Sequence, residues 1–253
     1  MAEWFQANRL SLNVDKTKLM VFTKKSTAGN PPMNLQLSGV KLSQVNNISF
    51  LGVQIQDSMR WDEHINNKCN KISKINSLLY RLKHSLPEKI LLNIYNALIA
   101  PHLTYGIVAW GNAHRSLLKR LIVLQKKCLR TISDSKYNAH TDPLFQKYKI
   151  LKFHDLYKAN CCKLYYRKKI GILPDFHADK LPSTTLINPY PSRHAQDIYI
   201  HIINSGFQKQ LLNYKVGSEW NKLPNCLKNI DYASINSFSK KLKNHFIHSY
   251  NQT

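Results

Sequence analysis

Basic residues recur at helical spacing between Arg115 and Ile132, where their type and position suit contacts with phosphate groups. At 100° per residue, five apolar side chains of this segment fall within about 80° of one another: Leu117, Leu121, Leu124, Cys128 and Ile132. No carboxylate occurs between Glu88 and Asp134, whereas solvent-facing helices usually mix both charge signs. We therefore favour a phosphate-binding face over an ordinary solvated face, and its predicted contact residues are Arg115, Lys119, Lys126, Lys127 and Arg130.

The charge of the whole chain supports an anionic partner. Lys and Arg number 37 and Asp and Glu 14, which gives a net charge of +23 over 253 residues. Such a charge repels itself and is normally offset by nucleic acid, an anionic membrane surface or an acidic protein. The basic residues are interleaved with 13 Tyr, 9 Phe and 4 Trp, a pattern typical of nucleic-acid binding. A hydrophobic content of 43% excludes wholesale disorder.

Other kinds of chemistry find little support in the sequence. Glycine-rich phosphate loops are absent, and carboxylates are too sparse for an obvious acid–base pair. The five cysteines are irregularly spaced, so we read them as free thiols in a reducing compartment. Cys161 and Cys162 are adjacent and cannot share a zinc ion in the usual knuckle, while His245 and His248 lack an evident third ligand. We predict no metal site, no cofactor and no independent active site in this chain.

No stretch of about 18 apolar residues indicates a membrane span, and the opening residues lack the features of a signal peptide. We therefore expect no membrane partner and an intracellular location, in the nucleus or the cytoplasm.

The fold class predicted from these patterns is α+β, mainly helical. Residues 1–58 combine short helical and strand-like stretches, and helical periodicity dominates residues 59–171. Four prolines between residues 172 and 192 indicate a linker, which leaves residues 193–253 as a small C-terminal unit.

Strand and turn signals concentrate in the N-terminal part. We predict the end of a helix over Glu3–Arg9, a strand over Lys16–Phe22 and a loop over Thr23–Pro32. Ser38-Gly39 between two short apolar stretches indicates a hairpin, and Ile48–Ile55 reads as one largely buried strand around Gly52.

The helical part carries clearer periodicity. An apolar stripe should bury one face of a helix after Trp61, with Lys68, Lys71, Lys74 and Arg81 off the stripe. Ser85-Leu-Pro-Glu88 resembles a capping box that opens the next helix, which should carry Leu91, Tyr95 and Leu98 on its apolar face. Further helices are expected from Pro143, over Phe153–Ile170, and at Phe238, Leu242 and Phe246; Trp110 and Trp220 should lie in the core.

Several segments, taken in order, resemble the reverse transcriptases of non-LTR (LINE-type, jockey-like) retrotransposons. Residues 4–20, WFQANRLSLNVDKTKLM, are similar to that family's palm segment W-F-x-x-N-x-L-x-L-N-x-x-K-T-x-x-M, and Phe50-Leu-Gly-Val53 is similar to its F-L-G-V/I segment. Pro101-His-Leu-Thr-Tyr-Gly106, Trp110-Gly111 and the LQKKC run ending at Cys128 are similar to its thumb pattern. Each piece is weak alone, but the ordered set is specific.

The resemblance implies the end of a palm, a thumb-like helical bundle and a C-terminal extension that hold RNA or DNA, in particular a primer–template duplex. It implies a primer-grip hairpin at Phe50, Leu51 and Gly52, for which a buried strand is the simpler alternative. It also aligns Lys16 with a palm lysine that assists nucleotide positioning or pyrophosphate departure; the alternative, which describes this chain in isolation, is a surface lysine in a loop.

The resemblance places the family's catalytic carboxylates ahead of these segments. Mg²⁺ is therefore implied only for the full-length polymerase, and this chain alone is predicted to be inactive. Two alternatives remain open: a stand-alone or domesticated basic module that binds RNA or DNA, and a degenerate copy without a function.

Overall fold

The structure, a computed structural model, describes residues 2–11, 13–22, 33–37, 39–174, 181–184, 196–201, 211–228 and 234–252. The predicted loop over 23–32 and Ser38 lie outside the described residues. Contacts divide the chain into two units, residues 1–67 and 68–253. The four-part division predicted from the sequence stays a prediction. Within its proposed linker, Leu181 is buried at 4% exposure.

Ahead of Asp62, the described residues of the first unit form one short helix and three small sheets. Helix α1 spans Ala2–Ala7 and gives way to Arg9, whose φ is +53°. Strand β1 (Lys18–Leu19) pairs in parallel with β4 (Ser43–Gln44), so the strand predicted over Lys16–Phe22 is much shorter than expected. Strands β2 (Gln36–Leu37) and β3 (Val40–Lys41) pair antiparallel, which confirms the predicted hairpin; Gly39 takes a φ of +78° there.

The prediction of one buried strand over Ile48–Ile55 is wrong. The segment is an antiparallel hairpin of β5 (Asn47–Phe50) and β6 (Val53–Gln56), in which Phe50 pairs with Val53. Leu51 and Gly52 have φ values of +47° and +77°. Two consecutive positive φ values are what a two-residue hairpin turn of type I′ requires, and they reverse the chain where an extended strand was expected.

Helix α2, Asp62–Leu82, begins with Asp62 and Glu63, whose charges suit a helix N-terminus. Its predicted stripe is largely confirmed: Ile65, Cys69, Ile72 and Leu79 are at most 1% exposed. Lys68, however, is 8% exposed rather than solvated. Its ammonium lies 5.6 Å from the ring centroid of Tyr105, and burial, followed by repulsion from Lys71, lowers its pKa.

The predicted capping box is wrong. Helix α3, Glu88–Ile94, begins after Pro87 and has no side-chain cap. The backbone N–H groups of Ser85 and Leu86 both donate to the carbonyl of Leu82. Ser85 therefore closes the end of α2 instead of opening α3.

A π-helical turn, Tyr95–Ile99, joins α3 to α4 (Ala100–Thr104), and the N–H of Ala100 donates to the carbonyl of Tyr95. The wider turn lies directly before Pro101, which has no N–H to donate. It also changes which side chains are buried: Leu98 is 45% exposed, contrary to prediction, and Ile99 is fully buried. The buried positions then recur every fourth residue, at Leu91, Tyr95, Ile99, Leu103 and Ile107.

Three helices complete the middle of the second unit: α5 (Ile107–Trp110), α6 (Arg115–Ile132) and α7 (Asp142–Lys147). Helix α8, Phe153–Lys169, then supplies aromatic contacts along its length. At its start the ring of Phe153 lies 5.6 Å from that of Trp110. The predicted helices at Arg115–Ile132 and Phe153–Ile170 are confirmed to within one residue.

Among the described residues after α8, three helices follow: α9 (Leu212–Asn221), α10 (Asn225–Lys228) and α11 (Ile235–His248), with a 3₁₀ turn over Ser249–Gln252. On α8, Tyr165 lies 4.6 Å from Trp220 between ring centroids, and Tyr166 stacks on Phe238 at 4.3 Å. Trp110 and Trp220 are at most 1% exposed, so their predicted place in the core is confirmed.

None of the described helices has both the length and the apolar character needed to cross a membrane. The predicted α+β class with mainly helical content is confirmed.

Candidate nucleic-acid interface

Helix α6 carries the residues predicted to contact phosphate. It begins after His114, whose Nδ1 accepts a hydrogen bond from the N–H of Ser116. Its buried face is centred about 40° from the predicted stripe when positions are projected at 100° per residue. Leu118, Leu121, Cys128 and Ile132 are buried, whereas Leu117 and Leu124 are only half-buried.

The buried face also includes Leu118 and Leu129, which the predicted stripe left out, and Gln125, a polar residue near its centre. Its Nε2 donates to the Tyr95 hydroxyl at 3.2 Å and to the Leu151 carbonyl at 3.0 Å, and its Oε1 accepts from the N–H of Phe153 at 3.0 Å. A buried amide is tolerated when its hydrogen bonds are satisfied. A stripe drawn from apolar residues alone could not include it.

The five predicted contact residues do not behave alike. Arg115, Lys119 and Lys127 are exposed, and Lys126 and Arg130 are half-buried. Projected at 100° per residue, Arg115, Lys126, Lys119 and Arg130 lie within about 60°, and Lys127 about 60° further round. Arg130 donates through Nε to the carbonyl of Ala139 at 2.9 Å, so it also holds the loop that follows α6.

Carboxylates elsewhere in the second unit are already engaged. Each described carboxylate from Lys68 onward has a lysine within ion-pair distance: Glu88 with Lys147, Asp134 with Lys83, Asp142 with Lys152, Asp155 with Lys158, Asp197 with Lys228 and Glu219 with Lys222. Among the described residues, none of these acids lies within ion-pair distance of Arg115, Lys119, Lys126 or Lys127. The positive charge of α6 is therefore not neutralised by neighbouring acids in this part of the chain.

A cleft of about 600 Å³ lies beside this helix. Three of the predicted residues line it, Arg115, Lys119 and Lys126, and they are named the cleft cations below. The start of α8 supplies further lining residues that the sequence did not single out, Lys152 and His154. Lys152 and His154 follow the cleft cations by more than 25 residues, so no pattern within one helix links them to the cleft. The packing of α8 against α6 places them in its lining.

A second basic cluster lies on other elements of the same unit. Burial, followed by repulsion from Lys243 and Arg167, lowers the pKa of Lys163 on α8. Burial, followed by repulsion from Lys149, lowers the pKa of Lys243 on α11. These four cations, brought together from three parts of the chain, were not recognised from the sequence.

The residues that resemble a primer grip are exposed at the tip of the β5–β6 hairpin. Phe50 is 61% and Leu51 75% exposed, so the alternative of a buried strand is wrong at these positions. Lys16 is exposed in a turn, and its N–H donates to the side-chain oxygen of Asn13 at 3.0 Å. These residues belong to the first unit and the cleft cations to the second.

The cysteines are all free thiols in the structure, and all but Cys226 are buried. Burial raises the pKa of Cys128 and of Cys161 to about 12. Within the described ranges, no three His, Cys, Asp or Glu side chains cluster closely enough to hold a metal ion.

Comparison with curated proteins identifies related sequences. The chain is 31% identical over 184 residues to the RNA-directed DNA polymerase from mobile element jockey of Drosophila funebris, which is 71% of this chain and 19% of the relative. It is 26% identical over 194 residues to the corresponding jockey protein of Drosophila melanogaster, covering 75% of this chain and 20% of the relative. It is also 29% identical over 141 residues to the probable RNA-directed DNA polymerase from transposon BS of Drosophila melanogaster, covering 54% of this chain and 15% of the relative. No family model matches the chain, and no solved structure matches it.

The chain is thus homologous to RNA-directed DNA polymerases of mobile elements. More narrowly, these relatives belong to the jockey and BS non-LTR retrotransposons, which confirms the resemblance drawn from the motifs. The chain spans about a fifth of the length of the jockey relatives it matches.

Proposed function

We propose that this chain is a nucleic-acid-binding portion of a non-LTR retrotransposon reverse transcriptase, which holds the RNA or DNA backbone of a primer–template duplex. The observation that carries the proposal is the pairing of charges in the second unit. Six described carboxylates pair with lysines elsewhere, and the cleft cations have no carboxylate within ion-pair distance among the described residues.

The physical basis is the release of counterions. A protein cation that replaces a condensed counterion on a phosphate lowers the free energy of the complex, more strongly at low salt. A rigid helix that presents several cations on one side can follow successive phosphates. Homology to RNA-directed DNA polymerases supports nucleic acid as the anionic partner.

The proposal is tested by neutralising the cleft cations together, as Arg115→Gln, Lys119→Gln and Lys126→Gln. The affinity for duplex should fall, and the slope of log K against log salt should become shallower by about 2.7 if each residue contacts one phosphate of B-DNA. The fold should be retained, because Arg115 and Lys119 are exposed, Lys126 is half-buried at the surface, and surface substitutions usually change stability by less than about 0.5 kcal/mol each.

A matched control removes the same charge from exposed lysines on other elements, as Lys74→Gln, Lys89→Gln and Lys136→Gln. Lys243 is a poor control because it belongs to the second basic cluster. If the control variant loses as much affinity and slope as the cleft variant, net charge rather than a contact surface explains binding, and the proposed interface is wrong.

We further propose that these 253 residues do not polymerise by themselves. Phosphoryl transfer of this kind relies on carboxylates that hold two metal ions about 3.5–4 Å apart, and the family's Tyr-Ala-Asp-Asp motif is absent from the sequence. In this view, Phe50, Leu51 and Gly52 correspond to the primer grip and Lys16 to the palm lysine. Primer extension with Mg²⁺ should not exceed a no-protein control; template-dependent incorporation would overturn the proposal.

A further inference from the structure

The cleft beside α6 has two chemically different sides. The cleft cations provide positive charge, and the apolar lining consists of Ile122, Val123, Phe145 and Phe153. Phe145 and Phe153 are 1% exposed and form the floor, whereas Val123 is 53% exposed. A volume of about 600 Å³ falls in the range of about 300–1,000 Å³ that is usual for sites that enclose a small molecule.

His154 adds a ring to this lining. It is exposed, and its ring centroid lies 6.1 Å from that of Phe153. The withdrawal of part of the ring from solvent lowers its pKa, Asp155 raises it, and the nearby Lys158 and Arg115 lower it. The imidazole is therefore neutral near pH 7 and offers a flat surface without a charge.

Lys152 lines the cleft, but its positive charge is already engaged by other groups of the protein. Its ammonium lies 2.9 Å from Asp142 and 4.2 Å from the ring centroid of Tyr250. The cations available to an anion in the cleft are consequently the cleft cations, on the α6 side. The cleft thus combines three cations along one edge with an apolar floor and the exposed ring of His154.

A duplex offers only its backbone to such a cleft, because its bases are stacked and paired. An unpaired nucleotide offers both a phosphate and a free base, and bases bind readily to flat side chains whatever their sequence. Resting on the function proposed above, we infer that this cleft binds an unpaired nucleotide of a single-stranded segment adjoining the duplex, with its phosphate on the cleft cations and its base against Val123 and His154.

The test compares a blunt duplex with the same duplex carrying a single-stranded tail of about five nucleotides, within the usual range for one binding site. The full chain should bind the tailed duplex more tightly. The double variant Val123→Ser with His154→Ala should lose about fivefold or more in affinity for the tailed duplex, as expected from losing one base contact. Its affinity for the blunt duplex and its salt slope should stay unchanged, since neither substitution removes a charge at neutral pH.

Tyr137→Ala is the matched control, because that variant also removes an exposed ring, 89% exposed, from a position outside the cleft lining. Equal affinity for blunt and tailed duplexes, or an equal loss in the Tyr137 variant, would overturn the inference and leave the proposed function intact. Binding of neither duplex would overturn both.

Discussion

Tyr250 ties the C-terminal turn to the start of α8, and removing only its hydroxyl should destabilise the second unit. The hydroxyl donates to the Oδ2 of Asp155 at 2.8 Å and accepts from the N–H of Lys152 at 3.0 Å. Burial and the charge of Asp155 raise the pKa of Tyr250, so the hydroxyl stays protonated and able to donate. Tyr250→Phe keeps the edge-to-face contact with Phe145, at 6.3 Å between ring centroids.

The expected loss is worked out from the two hydrogen bonds. Tyr250 and Asp155 are 7% and 9% exposed, so water does not readily replace the hydroxyl. A hydrogen bond to a charged group contributes about 1.5–3 kcal/mol, and a buried N–H left without an acceptor costs about 1–3 kcal/mol. Because the two effects are coupled through one oxygen, we expect a decrease of about 2–4 kcal/mol in the free energy of unfolding.

Urea denaturation followed by circular dichroism measures this difference, and a thermal scan should show Tm lowered by roughly 4–16 °C. Tyr137→Phe is the control, since Tyr137 is 89% exposed and its variant should stay within about 0.5 kcal/mol. A change below that value for Tyr250→Phe would refute the reasoning, because it would mean that the hydroxyl is not buried between these two partners.

Three further predictions concern the core of the second unit. Asp197→Asn should lower the free energy of unfolding by about 3–5 kcal/mol, because it leaves the buried ammonium of Lys228 without the carboxylate at 2.8 Å; an unchanged urea midpoint would contradict this. Gly111→Ala should destabilise by about 1–3 kcal/mol, since its Cβ would lie 2.6 Å from both the Ile107 carbonyl oxygen and a ring carbon of Tyr157; a neutral result in the same assay would show that the site can relax. A thiol reagent at mildly alkaline pH should modify one cysteine per chain rapidly, Cys226, because the other four thiols are buried; a second rapid equivalent in the absorbance trace would argue against that burial.

The sequence was sufficient to predict a helix and its buried residues where the apolar spacing within that one helix marks them. The bounds of α6 and α8 and the apolar residues of α2 and α11 follow from spacing within a few turns, because a helix buries one face and repeats every 3.6 residues. The order of short motifs likewise identified the relatives that the comparison found. The excess of positive charge on α6 was visible for the same reason, since it lies within one segment.

Local patterns misled where the backbone departs from regular geometry. The turn at Leu51 and Gly52 divides what reads as one apolar strand, because two positive φ values reverse the chain. The π-helical turn before Pro101 moves the buried position from Leu98 to Ile99 by adding a residue to that turn. Both features depend on backbone angles that the hydrophobic pattern does not encode.

Tertiary structure alone decided which charges are free and which surfaces meet. Pairs such as Lys83 with Asp134 and Lys147 with Glu88 join residues more than 50 positions apart, and they determine that the acids are engaged away from the cleft cations. The same packing places His154 beside Arg115 and makes a cleft from α6, α7 and the start of α8. Spacing along the chain determines which residues share a helix face. The distance between two helices depends on how their buried faces pack, and that distance determines whether cations and apolar side chains from different helices lie close enough to form a site.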